Sequence, residues 1–208
     1  MLLAYLLGEK RGLLVALRRD GLTAHRGEPS AVVFPTSTAE VQAIVRACRR
    51  AGVPFVPRGA GTGLSGGALP SERAVIIECS RMNRIRELDL ENRIAVIEPG
   101  MVNADLSKAV AEHGLFYAPD PSSQQACTLG GNVAENSGGP HTLKYGTTTN
   151  HVLALEMVLP DGELAQLGNL CPDTAEEAKG LLPSLHNKLD DGELDEILKD
   201  MHSKKTFQ

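Results

Sequence analysis

The chain has 208 residues, of which 42% are hydrophobic and 3% aromatic, with a formal net charge of −5. That length suits one large domain or two small ones, no apolar run approaches the ~20 residues a membrane span needs, and the acidic balance argues against broad electrostatic binding to nucleic acid. Cys48, Cys79, Cys127 and Cys171 are too scattered for a zinc site or a redox pair, and the histidines show no His-x-x-x-His spacing, so no metal is expected and the thiols read as reduced in a cytoplasmic protein.

Leu3, Leu6, Leu7, Leu14 and Leu17 suggest an amphipathic helix at the start rather than a signal peptide. Residues 31–34, closed by Pro35, read as a strand. Thr38 is placed to cap a helix whose apolar face is Val41, Ile44, Val45 and Cys48, and Gly52 stops it. A second strand follows over 53–56. This β-α-β unit points to a layered α/β (α+β) domain. Further strands are expected over 74–78 and 94–97, a helix from Asn103 to about His113 before Gly114, and a strand over 152–159 ahead of the turn Pro160-Asp161-Gly162.

Five glycines stand in the nine residues 59–67, directly after the second strand. Such a segment can turn its N–H groups to one side and hold an anion, because no Cβ blocks the approach. A pyrophosphate suits it, with Thr62 and Ser65 adding hydroxyls and Arg58 adding charge or bracing the loop. Gly61, Gly63 and Gly66 match Gly-x-Gly-x-x-Gly, but Ala68-Leu69-Pro70 is a poor start for the helix which that fingerprint must open. The Gly-Lys-Ser/Thr ending of a triphosphate-binding loop is missing. A surface glycine loop without a ligand is the plain alternative. A second block runs from Pro119-Asp120-Pro121-Ser122-Ser123 through Cys127–Asn132 and Asn136–Gly139 to Lys144-Tyr145-Gly146. It has the composition of a long binding loop or of a surface loop.

Taken together, Arg58–Ala68 and Gly130–Gly139, with Lys144-Tyr145-Gly146 and the strand-turn up to Gly162, resemble the FAD-binding domain of the vanillyl-alcohol oxidase / p-cresol methylhydroxylase family. The likeness is to its glycolate oxidase and flavin D-lactate dehydrogenase branch, over residues ~25–162, from Thr23-Ala24-His25-Arg26-Gly27-Glu28-Pro29 onward. The resemblance implies FAD as cofactor. It gives Arg58, Gly59, Ala60, Gly61, Thr62, Gly63 and Leu64 to the pyrophosphate, and Thr128, Gly131, Asn132, Ser137, Gly138, Gly146 and Val152 to the flavin side. Some members attach flavin to a histidine of the first loop; Leu64 and Ser65 stand here, so noncovalent FAD is expected. The resemblance also implies a small 2-hydroxy-acid substrate and association with other oxidase subunits. The family's substrate domain has no counterpart, so the chain reads as a truncated flavin dehydrogenase, inactive alone, with no catalytic residue to name. His141 and His151 read as loop or cofactor-wall residues rather than acid–base groups.

The composition changes near 163. Residues 1–162 carry 13 Arg, 3 Lys and 16 acidic residues, whereas 163–208 carry no Arg, 5 Lys and 10 acidic residues. Two domains are therefore expected, 1–162 and a helical tail over 163–208. In the tail, Asp173 or Thr174 caps a helix over 175–182. Asp190 and Asp191 precede a second helix with Leu194, Ile197, Leu198 and Met201 on one face. Leu164–Pro172, Ala175–Lys179, Pro183–Leu185, Leu194–Lys199 and Thr206-Phe207-Gln208 resemble the C-terminal end of the fourth subunit of RNA polymerase II. A partner-binding protein with a polymerase-stalk-like tail is thus the alternative function, and a small FAD carrier that borrows its substrate domain from another subunit is a third.

Overall fold

The structure is a computed structural model and describes residues 17–22, 24–162, 164–168, 174–176, 179, 190–192 and 194–196. The expected N-terminal helix and most of the two tail helices lie outside these. Two compact units are present, residues 1–151 and 152–208.

The first unit opens with strand β1 (Ala31–Val33), helix α1 (Thr38–Ala51) and strand β2 (Phe55–Arg58), followed by β3 (Val75–Glu78). The three strands form a parallel sheet in the order β1-β3-β2. The central strand β3 is buried along its whole length and reads Val-Ile-Ile-Glu, the continuous apolar run of a strand covered on both faces. Pro57 in β2 is tolerated because β2 is an edge strand, where a missing N–H costs no ladder bond on the open side. β2 starts two residues later than expected, since Val53 still belongs to the helix exit: its N–H donates to the Cys48 carbonyl. Ala31, Cys48 and Val75 form a core with Val33, Ile44, Val53 and Phe55 packed against it. The helix cap is Ser37, not Thr38. Ser37 has extended backbone and its Oγ accepts from the Glu40 N–H, while the Glu40 carboxylate reaches back to the Thr36 N–H at 2.7 Å.

A hairpin of β4 (Ile85–Asp89) and β5 (Ile94–Ile97) follows, and then α2 (Asn103–Val110), prolonged by a 3-10 turn to His113 and ended by Gly114. The sequence reading missed β4, because a bulge between Ile85 and Glu87 breaks its alternation. Met101, Leu106, Val110 and Leu129 form a second core over this hairpin. Helices α3 (Leu129–Glu135) and α4 (Thr142–Tyr145) and a 3-10 turn (Thr148–His151) interrupt what the sequence suggested was a long loop.

In the second unit, β6 (Ala154–Val158) pairs antiparallel with β7 (Leu164–Gly168). The hairpin spans the compositional break near 163. In the tail, the Asp195 carboxylate accepts from the Ala175 N–H at 3.2 Å, Lys179 pairs with Asp191, and Ala175 and Leu194 are buried. No described helix is long and apolar enough to cross a membrane, and no metal-binding cluster occurs among the described residues.

Candidate cofactor site

The glycine segment leaves the C-terminal end of β2, the end of a parallel strand where α/β folds place ligands. Gly61 and Gly66 have φ of +68° and +81°, values that L side chains rarely adopt. Among the described residues, none accepts a hydrogen bond from the N–H groups of residues 60–65. A turned glycine backbone with free donors fits a phosphate-bearing ligand.

Arg58 does not extend into that space. It is buried, and its Nη1 and Nη2 donate to the carbonyls of Ala68 (3.1 Å) and Arg19 (2.7 Å). Of the two roles open to it, the geometry shows the brace. Burial pushes its pKa down, and the carboxylates of Asp20 and Glu78 oppose that shift. A Cβ at Gly61 would overlap this guanidinium, so the loop is wound around the arginine. Asp20, which the sequence reading passed over, accepts from the Gly66 N–H at 3.1 Å, and the Gly21 N–H donates to the Gly63 carbonyl at 3.0 Å. The segment 19–21 thus straps the loop from outside the β-α-β unit.

The second block is built around α3. Thr128 caps it, its Oγ accepting from the Gly131 N–H at 3.3 Å. A Cβ at Gly59 would overlap the Thr128 hydroxyl, so the two glycine-rich segments meet where only glycine allows it. Asn132 is 2% exposed and its Nδ2 has no acceptor among the described residues. A buried, unspent amide donor one turn after Thr128 on α3 fits a cofactor acceptor. The Ser137 carbonyl takes both the N–H and the hydroxyl of Thr148, at 3.0 and 2.7 Å, and Gly138 follows it. Gly146 has φ +81° and donates to the Thr142 carbonyl. Val152 opens the second unit and is therefore not grouped with the rest. Leu64 is 66% exposed, beside the free N–H groups.

His141 is held by Asp120, which accepts from both its N–H (3.3 Å) and its Nδ1 (2.5 Å). That hydrogen bond holds the Asp120 carboxyl below the usual range. The His151 Nε2 lies 2.9 Å from the Tyr145 carbonyl. Both rings are thus engaged within the second block, as loop residues would be.

The family pattern described as "FAD binding domain" matches residues 29–168. The chain belongs to this FAD-binding family. The glycolate oxidase subunit GlcD of Escherichia coli (strain K12) is 51% identical over 150 residues, covering 72% of this chain and 30% of that protein. GlcD of Bacillus subtilis (strain 168) is 43% identical over 157 residues, covering 75% and 33%. A D-lactate dehydrogenase of Archaeoglobus fulgidus is 42% identical over 137 residues, covering 66% and 30%. The chain spans about a third of the length of these curated relatives. Among solved structures, alkyldihydroxyacetonephosphate synthase aligns with a TM-score of 0.59 at 31% identity, over 66% of this chain and 28% of that one. Physcomitrella patens BBE-like 1 shares the fold, with a TM-score of 0.65 at 23% identity over 78% and 35%. A second pattern, "RNA polymerase Rpb4", matches residues 142–204 and overlaps the end of the first. Both family resemblances read from the sequence are therefore present, and FAD is the cofactor of the first.

Proposed function

We propose that this chain is the FAD-binding portion of a flavin-dependent oxidoreductase acting on a small 2-hydroxy acid of the glycolate or D-lactate type. The observation that carries it is the meeting of Gly59 with Thr128, which joins an anion-accepting loop to a second glycine-rich segment in a chain whose relatives are glycolate oxidase subunits and D-lactate dehydrogenases. When bound, FAD supplies the two-electron acceptor for oxidation of the hydroxy acid. The chain's own part is to hold it. Gly59, Ala60, Gly61, Thr62, Gly63 and Leu64 offer the backbone surface for the pyrophosphate, and Arg58 fixes their shape. Thr128, Gly131, Asn132, Ser137, Gly138 and Gly146 are assigned to the flavin side. No histidine stands in residues 58–68, which supports noncovalent attachment.

The test is the absorbance spectrum of the purified chain with and without added FAD, followed by acid precipitation. Flavin absorbance that leaves with the supernatant is the expected result; a colourless protein that takes up no FAD overturns the reading. The 208 residues by themselves are expected to reduce a dye little or not at all with glycolate or D-lactate, because orienting the acid and removing its proton need several placed groups and the chain spans only about a third of the length of the curated oxidases and dehydrogenases it matches. Robust turnover would refute that.

A second reading rests on the match of residues 142–204 to the Rpb4 pattern. In it the tail is a partner-binding element, and the composition switch near 163 marks the junction of two ancestries. Binding to a polymerase stalk partner by a chain that carries no flavin would favour it over the first.

A further inference from the structure

Ser65 has a use that the phosphate-loop reading does not assign. Its Oγ donates to the Glu135 Oε2 at 3.0 Å, across 70 positions of sequence. Glu135 is the last residue of α3, so this bond ties the first glycine-rich segment to the second. The other carboxylate oxygen lies along the same stretch of loop. A Cβ on Gly67 would stand 3.2 Å from Glu135 Oε1, and one on Gly63 3.6 Å from it. Among the described residues no cation pairs with Glu135.

We propose that Glu135 is a positioning residue that locks the two glycine-rich segments into one cofactor cleft through its hydrogen bond with Ser65. The proposal rests on the reading of this cleft as an FAD site. The loop needs such a lock because five glycines lose more backbone freedom on ordering than other residues do. The strap of residues 19–21 and the Arg58 guanidinium hold it through the Arg19 carbonyl and the Asp20 carboxylate. Glu135 reaches it from α3. The useful property of Glu135 is its acceptor oxygen and not its charge: a carboxylate beside a doubly charged pyrophosphate is repulsive, and among the described residues no cation pairs with it. A neutral amide at this position keeps the acceptor and removes the repulsion.

The 208-residue chain is compared with S65A, E135A, the S65A/E135A double variant and E135Q, in two measurements. Nitrogen-15 relaxation of the FAD-free protein reads backbone order in residues 60–67. Flavin fluorescence quenching reads FAD affinity. S65A and E135A should each lower the order parameters of 60–67 from the rigid range of about 0.85 toward the mobile range near 0.6, and leave β1–β3 unchanged. Each should weaken FAD roughly three- to tenfold, the effect of one ordinary hydrogen bond. The double variant should be no worse than either single one, and E135Q should stay within about twofold of the unsubstituted chain. Three results overturn the lock: unchanged order in both alanine variants, tighter FAD binding by E135A, or an E135Q loss as large as that of E135A. Should the unsubstituted chain bind no FAD at all, the cofactor reading falls, and the relaxation measurement still decides whether Ser65 and Glu135 hold the loop.

Discussion

Gly61 and Gly63 sit two positions apart in the same loop and respond to substitution for different reasons. Gly61 has φ +68° and faces the Arg58 guanidinium, so Gly61→Val combines backbone strain with a steric overlap inside the protein. Its loss of FAD would say little about the ligand. Gly63 has an ordinary φ, and among the described residues a Cβ there meets only Glu135, at 3.6 Å. Gly63→Ala should therefore keep the far-UV circular dichroism and melting temperature of the parent while FAD affinity drops about tenfold, from one obstructed approach. Normal affinity in that variant would remove the loop from the cofactor site. The glycines were legible in the sequence because left-handed backbone and close approach both demand them. The strap was not: Asp20 and Arg19 act through a side-chain carboxylate and a backbone carbonyl some forty residues upstream of the loop, and nothing in their local pattern announces it.

The hairpin β4–β5 depends on a carboxylate at its exit. Glu98 is 4% exposed, and it accepts from the Arg84 N–H at 2.9 Å and from the Arg84 and Arg86 guanidinium groups at 3.1 and 2.6 Å. Burial works against its ionised form. The hydrogen bonds from Arg84 and the charges of Arg84 and Arg86 outweigh it, so its carboxyl titrates below the usual value. The stabilisation is thus complete above the unfolded carboxylate value of about 4.3 and is lost as pH falls through the lower folded value. Glu98→Gln should cost about 1–3 kcal/mol at neutral pH, and the cost should shrink toward pH 3. Urea melts at the two pH values measure this; an equal cost at both would show that the charge is not what Glu98 contributes. At this scale the sequence revealed elements with clean periodicity, such as α1 and α2. It concealed β4, whose bulge interrupts the period of two, and α3, whose Leu-Gly-Gly-Asn start resembles a loop and is helical because Thr128 caps it and Leu129 is buried.

Two units are separable by contact at 151/152, while composition breaks near 163 and the two family patterns overlap over 142–168. These are different boundaries. The pairing of β6 with β7 holds residues 154–168 together as a hairpin whatever their ancestry. We propose that residues beyond 170 lie outside the flavin domain's core. Two contacts within the tail are Ala175 to Asp195 and Lys179 to Asp191. Hydrogen exchange should then report two levels of protection, one for residues 30–150 and a lower one after 170. A single uniform level from 30 to 205 would show one cooperative domain. The boundary at 151/152 could not be read from charge counts, since a strand pair can close across a compositional seam.

The strap formed by Arg19 and Asp20 has a consequence for modularity. The recognised family pattern begins at residue 29, after the strap. A polypeptide cut to residues 29–208 would keep every glycine of both segments, yet Arg58 would lose the Arg19 carbonyl and Gly66 its carboxylate partner. The buried guanidinium would then be left short of an acceptor, which is a costly state. Such a shortened polypeptide should bind FAD much more weakly than residues 17–208, by fluorescence titration, although the family pattern would match the same residues in both. The heritable motif and the physically self-sufficient module differ here by about ten residues.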